Sequence, residues 1–145
     1  VAGVWAFVTA VLPFIDSGMA LNLPVILMIL ERGVFIFAIT LPFDIRDLHV
    51  DDHHYVKTIP AVIGIEKTKQ LSYAILALAL VLALSNYFLN FYDFKILIGL
   101  TLFYLSSACL VCLSNKEKHD YFCSGLMDAT MILQFLVVLG AYLVL

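Results

Sequence analysis

The chain has 145 residues, of which 63% are hydrophobic and 13% charged, against about 45–50% and about 25% in soluble domains. A soluble domain of this size buries only about 68–70% of its unfolded surface, and this composition cannot furnish a polar exterior for the remainder, so a bilayer is the solvent that fits. A net charge of −3 offers no basic surface for phosphates, which excludes nucleic acid as a partner, and Cys109, Cys112 and Cys123 are too few for a disulfide framework.

A hydrocarbon core about 30 Å thick takes roughly 20 apolar residues of helix. The first apolar run, Val1–Ile15, reaches only about 22 Å. It lacks the basic start of a secretory signal and reads as the end of a helix in a longer membrane protein. Four runs then have the length of full spans: Leu23–Leu41, Leu71–Leu89, Ile96–Leu113 and Leu126–Leu145. The expected fold is therefore all-α, a polytopic transmembrane helical bundle, with residues 1–145 forming a single domain.

Orientation follows from the basic residues. The segment Asp44–Lys69 carries Arg46, Lys57, Lys67 and Lys69, and Ser114–Ser124 carries Lys116 and Lys118. The alternate segments carry none in Asp16–Asn22 and Lys95 alone in Ser85–Lys95. Lysine and arginine gather on the cytoplasmic side, so Asp44–Lys69 is predicted to be a cytoplasmic loop of an integral, multi-pass protein.

Against so apolar a background, each polar residue carries information. Glu31 and Arg32 interrupt the second run, where each charge costs about 2.5–3.5 kcal/mol at a helix centre. Such residues face a wet pocket or a neighbouring helix, and both readings stand for this pair. After Pro42 comes DIRDLHVDDHHYVKT, Asp44 to Thr58. If it continues as helix, Asp44, Asp47 and Asp51 at i, i+3 and i+7 fall within about 60° of one another, with Arg46 on another face. Carboxylates so placed repel unless a cation lies among them. Mg²⁺ suits them because it takes oxygen ligands, commonly one or two carboxylates together with substrate phosphates, whose charge Lys57 and Arg46 would neutralise. A solvated acidic loop explains the same residues, and His49, His53 and His54 raise a transition-metal site as a third reading. Asp128 follows Ser124 and Gly125 at the start of the last run, where it favours the helix dipole or lies at the mouth of a pocket. Cys109 and Cys112 are expected to be buried packing residues, and Tyr87 and Tyr92 to mark the membrane interface.

The stretch DIRDLHVDDHHYVKTIPAVIG, Asp44 to Gly64, resembles the second aspartate-rich motif of the UbiA-type intramembrane prenyltransferases. That motif runs Asp-x-x-Asp-x-x-x-Asp, then a basic residue and Thr, then x-Pro and a closing Gly. Here these are Asp44, Asp47, Asp51, Lys57, Thr58, Pro60 and Gly64, with Tyr55 where the family commonly has Gly. The resemblance implies a nine-helix fold of which this chain is the C-terminal part, with a first aspartate motif upstream of Val1. It implies that Asp44, Asp47 and Asp51 hold Mg²⁺ and the diphosphate of a polyprenyl donor, whose prenyl group passes to a lipophilic or aromatic acceptor. The competing class is a cation-binding transporter or channel, whose site should lie near the bilayer midplane on broken helices.

Overall fold

A computed structural model describes residues 22–54 and 58–113, together with Ile15, Ile132 and Leu136; residues 46, 47 and 49–54 are described by their backbone alone. The runs Val1–Ile15 and Leu126–Leu145, along with Lys57, Ser114–Ser124 and Asp128, lie outside or almost wholly outside this description. Among the described residues the chain is helical and contains no strand. The elements in order are α1 (Leu23–His54), α2 (Ile59–Ile63), α3 (Ile65–Phe88) and α4 (Phe94–Leu113). Three helical stretches, Leu23–Ile45 of α1 and the whole of α3 and α4, are long and apolar enough to cross a membrane, which fits an integral membrane protein in contact with a lipid bilayer.

The first helix is tied off locally. Asn22 Oδ1 accepts the Val25 N–H at 3.2 Å, the role of an N-cap that satisfies one of the free amides of the first turn. From there α1 runs 32 residues without a break, about 48 Å at helical rise, so its last turns extend roughly 13 Å beyond Ile45 and out of the apolar span. This corrects the loop expected from Asp44 to Lys69. Its first part is the end of α1 and its last part is the start of α3, with the one-turn helix α2 between them among the described residues.

The physical reason is visible at Pro42, inside α1. Proline has no N–H, so the carbonyl four residues back loses its helical donor. That carbonyl belongs to Ala38, and the buried Ser72 hydroxyl of α3 donates to it at 2.7 Å. In hydrocarbon a freed backbone group must find such a partner, and with this one the helix continues past the proline. The break falls further on. Thr58 is extended (φ −84°, ψ 162°), Pro60 occupies the first turn of α2, and Gly64 adopts φ 85°, ψ 160°, a region of backbone space open essentially to glycine alone. The Thr68 hydroxyl then returns to the Gly64 carbonyl at 2.9 Å.

The three long helices form an antiparallel series with α3 in the middle. At one end Lys69 Nζ donates to the Cys112 carbonyl at 3.4 Å, joining the start of α3 to the end of α4. At the other end α3 and α4 are linked by a tight turn in which Asn90 takes a left-handed φ of 55° and the Asn86 carbonyl accepts the Phe91 N–H at 3.0 Å. The buried side of α3 is a narrow stripe: Thr68, Ser72, Leu76, Ala79, Ala83 and Asn86. Small residues at such spacing let helices approach closely, which is how membrane helices associate when apolar burial gives no advantage over lipid. Against this stripe pack Phe35, Ile36, Ala38 and Ile39 of α1, while Leu97, Leu100, Phe103 and Val111 of α4 complete the core.

Removing the hydroxyl in Ser72→Ala is expected to cost about 1–2 kcal/mol of stability in mixed micelles. In a Pro42→Ala background, where residue 42 again donates to Ala38, the same change should cost distinctly less, and equal costs in the two backgrounds would show that the bond does not serve the proline.

Candidate functional site

The polar residues form two groups at different depths on α1. The deeper is built around Glu31, which is 0% exposed within a membrane-spanning stretch. Tyr92, in the turn between α3 and α4, donates its hydroxyl to Glu31 Oε2 at 2.9 Å, and the Tyr104 hydroxyl of α4 donates to Oε1. One carboxylate thus joins α1 to residues 61 and 73 positions away. Both oxygens are taken within the bundle, so this acid serves as a bond between helices. Arg32, half-buried on the next residue, lies within electrostatic reach of the carboxylate and supplies the compensating charge that an ion in a low-dielectric interior requires. Phe35, one turn on, packs its ring at a tilt against those of Phe103 and Tyr104, with centroids 4.6 Å and 5.8 Å apart.

Tyr92 was expected to mark membrane depth. The structure instead buries it. Burial, reinforced by the neighbouring Glu31 charge, holds its phenol above the ordinary range, which keeps it a hydrogen-bond donor. Asn86, at the end of α3, completes this region. With its amide oriented by its partners, it donates to the Pro24 carbonyl at 3.1 Å and accepts the Met28 N–H at 3.3 Å, fastening the first turns of α1. Neither tyrosine could be picked out from the sequence as a partner of Glu31, whereas Asn86 and Ser72 carried a signal, being polar residues within the apolar stretch 65–88.

The shallower group is the acidic end of α1, which begins at Asp44 about 18–20 Å along the helix from Glu31 and Arg32. Because the backbone is helical from Leu23 through His54, Asp44, Asp47 and Asp51 keep the i, i+3, i+7 register, which places the three positions on one side of the helix. Asp44 is half-buried at the edge of the apolar span; Arg46, Asp47 and Asp51 follow in the turns beyond it. Thr58, on the far side of the connection, has its hydroxyl oxygen buried with no hydrogen-bond partner among the described residues, and Pro60 beside it is buried. The structure therefore keeps the acidic group apart from Glu31 and Arg32. The placement of Lys57 and Asp128 lies outside the described residues.

Cys109 and Cys112 depart from expectation. They are exposed thiols on α4, where buried packing residues were expected.

No protein-family model, no curated protein and no solved structure matches the chain.

Tyr104→Phe and Tyr92→Phe each leave one oxygen of Glu31 without its donor, and each is expected to lower stability by about 1–3 kcal/mol. Thermal unfolding in detergent provides the measurement. Tyr87→Phe, which leaves Glu31 untouched, should cost less than either; a larger loss there would place the weight of this end of the bundle elsewhere.

Proposed function

We propose that the chain is part of an intramembrane prenyltransferase of the UbiA type, in which the acidic end of α1 receives Mg²⁺ and the diphosphate of a polyprenyl donor. The observation that carries this reading is the continuity of α1 past Pro42 to His54. It keeps Asp44, Asp47 and Asp51 in the register that their spacing requires and sets them at the edge of an apolar span, where a donor with a lipid tail and a charged head would lie.

The residues present suit the group they would hold. Carboxylate oxygens are the ligands that Mg²⁺ prefers, and it commonly shares them with phosphate oxygens. The Thr58 hydroxyl, buried without a hydrogen-bond partner among the described residues, supports the same reading, since a buried donor left unmade is costly and a phosphate oxygen would relieve it. When bound, Mg²⁺ stabilises the negative charge that grows on departing diphosphate. The chain's own part is to hold the donor head through Asp44, Asp47 and Asp51, to neutralise phosphate charge through Lys57 and Arg46, and to keep water from the prenyl tail with apolar helix faces. Arg32 and Asp128 remain pocket residues in this reading. In the nine-helix fold, a first aspartate motif on an earlier helix would complete the metal site.

The transporter reading finds less support. Its site belongs on broken helices near the midplane, whereas α1 is unbroken and its buried acid is bonded to two tyrosines.

Two experiments test the proposal. Cysteines placed at Asn90 and Lys118 in a cysteine-free protein should be labelled from opposite sides, Lys118 from the cytoplasm; the reverse pattern would overturn the orientation. Membranes containing the full-length protein, supplied with Mg²⁺, labelled isoprenoid diphosphates and a panel of acceptors, should show prenyl transfer that EDTA abolishes. Asp44→Asn and Asp51→Asn should each reduce turnover about a hundredfold or more at unchanged abundance. Transfer that survives EDTA, or a double variant of normal activity, would sink the mechanism.

A further inference from the structure

The bond from Ser72 to Ala38 is the first link in a run of hydrogen bonds that ends at Thr58. Ser72 is fully buried and donates its hydroxyl to the Ala38 carbonyl of α1 at 2.7 Å. One turn earlier on α3, Thr68, also fully buried, donates its hydroxyl to the Gly64 carbonyl at 2.9 Å and its N–H to the same oxygen at 3.1 Å. The Gly64 N–H then donates to the Pro60 carbonyl at 3.0 Å, and the Val62 N–H to that of Thr58 at 3.2 Å. The emerging end of α1 and the connection that carries Thr58 are therefore both fastened to the same two turns of α3.

Asp44, Asp47 and Asp51 all lie beyond Pro42. A change of helix direction at the proline would move them as one body and leave their mutual register intact. What it would change is the gap between them and Thr58. Sharp kinks at proline exceed about 20°, and over the nine positions from Pro42 to Asp51, about 13 Å of rise, such a turn displaces Asp51 by roughly 5 Å. Mg²⁺ demands ligands at about 2.0–2.1 Å in near-ideal geometry, so a ligand that bridges the two walls would not survive that displacement. Inside the apolar span, water cannot stand in for the Ser72 hydroxyl.

We propose that Ser72 is a positioning residue: by donating to Ala38 it sets the gap between the acidic end of α1 and Thr58, and with it the affinity of that end for Mg²⁺ and diphosphate. The ligand is that of the prenyltransferase reading, on which this assignment rests, whereas the gap depends on α1 and α3 alone. Ser72 lies within the bundle and acts only through the helix it holds.

The test uses full-length protein in membranes, with its native cysteines replaced by serine and nitroxide labels on His53→Cys, at a position across α1 from the three acids, and Val62→Cys, at an exposed position of α2. Pulsed electron resonance should give one distance between the labels in the parent. Ser72→Ala should shift it by about 5 Å, and adding Pro42→Ala, so that residue 42 supplies its own N–H to Ala38, should restore the parent distance. In the unlabelled proteins, the Mg²⁺ concentration for half-maximal prenyl transfer should rise about tenfold in Ser72→Ala and return to the parent value in the double variant. Loss of folded protein alone would lower the maximal rate without moving that concentration. An unchanged distance in Ser72→Ala, a shift that Pro42→Ala does not reverse, or an unchanged Mg²⁺ requirement would overturn the proposal. A parent that shows no Mg²⁺-dependent transfer would overturn the prenyltransferase reading instead, and the label distances would still decide whether Ser72 sets the gap.

Discussion

A single hydrogen bond, from the Ser72 hydroxyl to the Ala38 carbonyl, decides the course of the longest helix. Pro42 withdraws the donor that Ala38 would normally have, and inside hydrocarbon water cannot replace it. With α3 supplying the donor, α1 need not break or bend away at the membrane edge. Everything beyond Pro42 follows its axis: the register of Asp44, Asp47 and Asp51, and the distance by which Asp47 and Asp51 lie beyond the apolar span. The same bond requires α3 to lie close, and the small side chains of Ser72, Ala79 and Ala83 allow it.

The other end of the bundle is held by a different solution to the same constraint. Glu31 would be expensive alone in a low-dielectric interior, but two tyrosine hydroxyls and the neighbouring Arg32 compensate it. The bonds from Asn86 to the first turns of α1 act beside it. Polar contacts at both ends of the α1–α3 pair fix rotation and register, which apolar packing between membrane helices specifies weakly because lipid competes for the same surfaces.

This division leaves the end at which α1 emerges chemically rich. The acidic turns of α1, the buried Thr58 hydroxyl and the basic start of α3 all belong to it, while the opposite end is committed to holding helices together. Charge is concentrated where α1 leaves the apolar layer, since groups there keep access to water that the span itself excludes.

Composition and run length by themselves determined the solvent, the all-helical class and three of the spans, because about 20 consecutive apolar residues admit few alternatives. The spacing of Asp44, Asp47 and Asp51 was equally legible, as was the oddity of Glu31 and Arg32. Tertiary structure decided what periodicity could not. Every face of these helices is apolar, so hydropathy leaves open which side of α3 is buried, and the small-residue stripe shows its meaning only against α1. It also decided that Asp44–His54 is helix, which depends on a serine 30 residues beyond Pro42. The use of Glu31 rests likewise on tyrosines 61 and 73 positions away. Local patterns cannot carry such pairings, because the partners meet only when antiparallel helices fold back on one another.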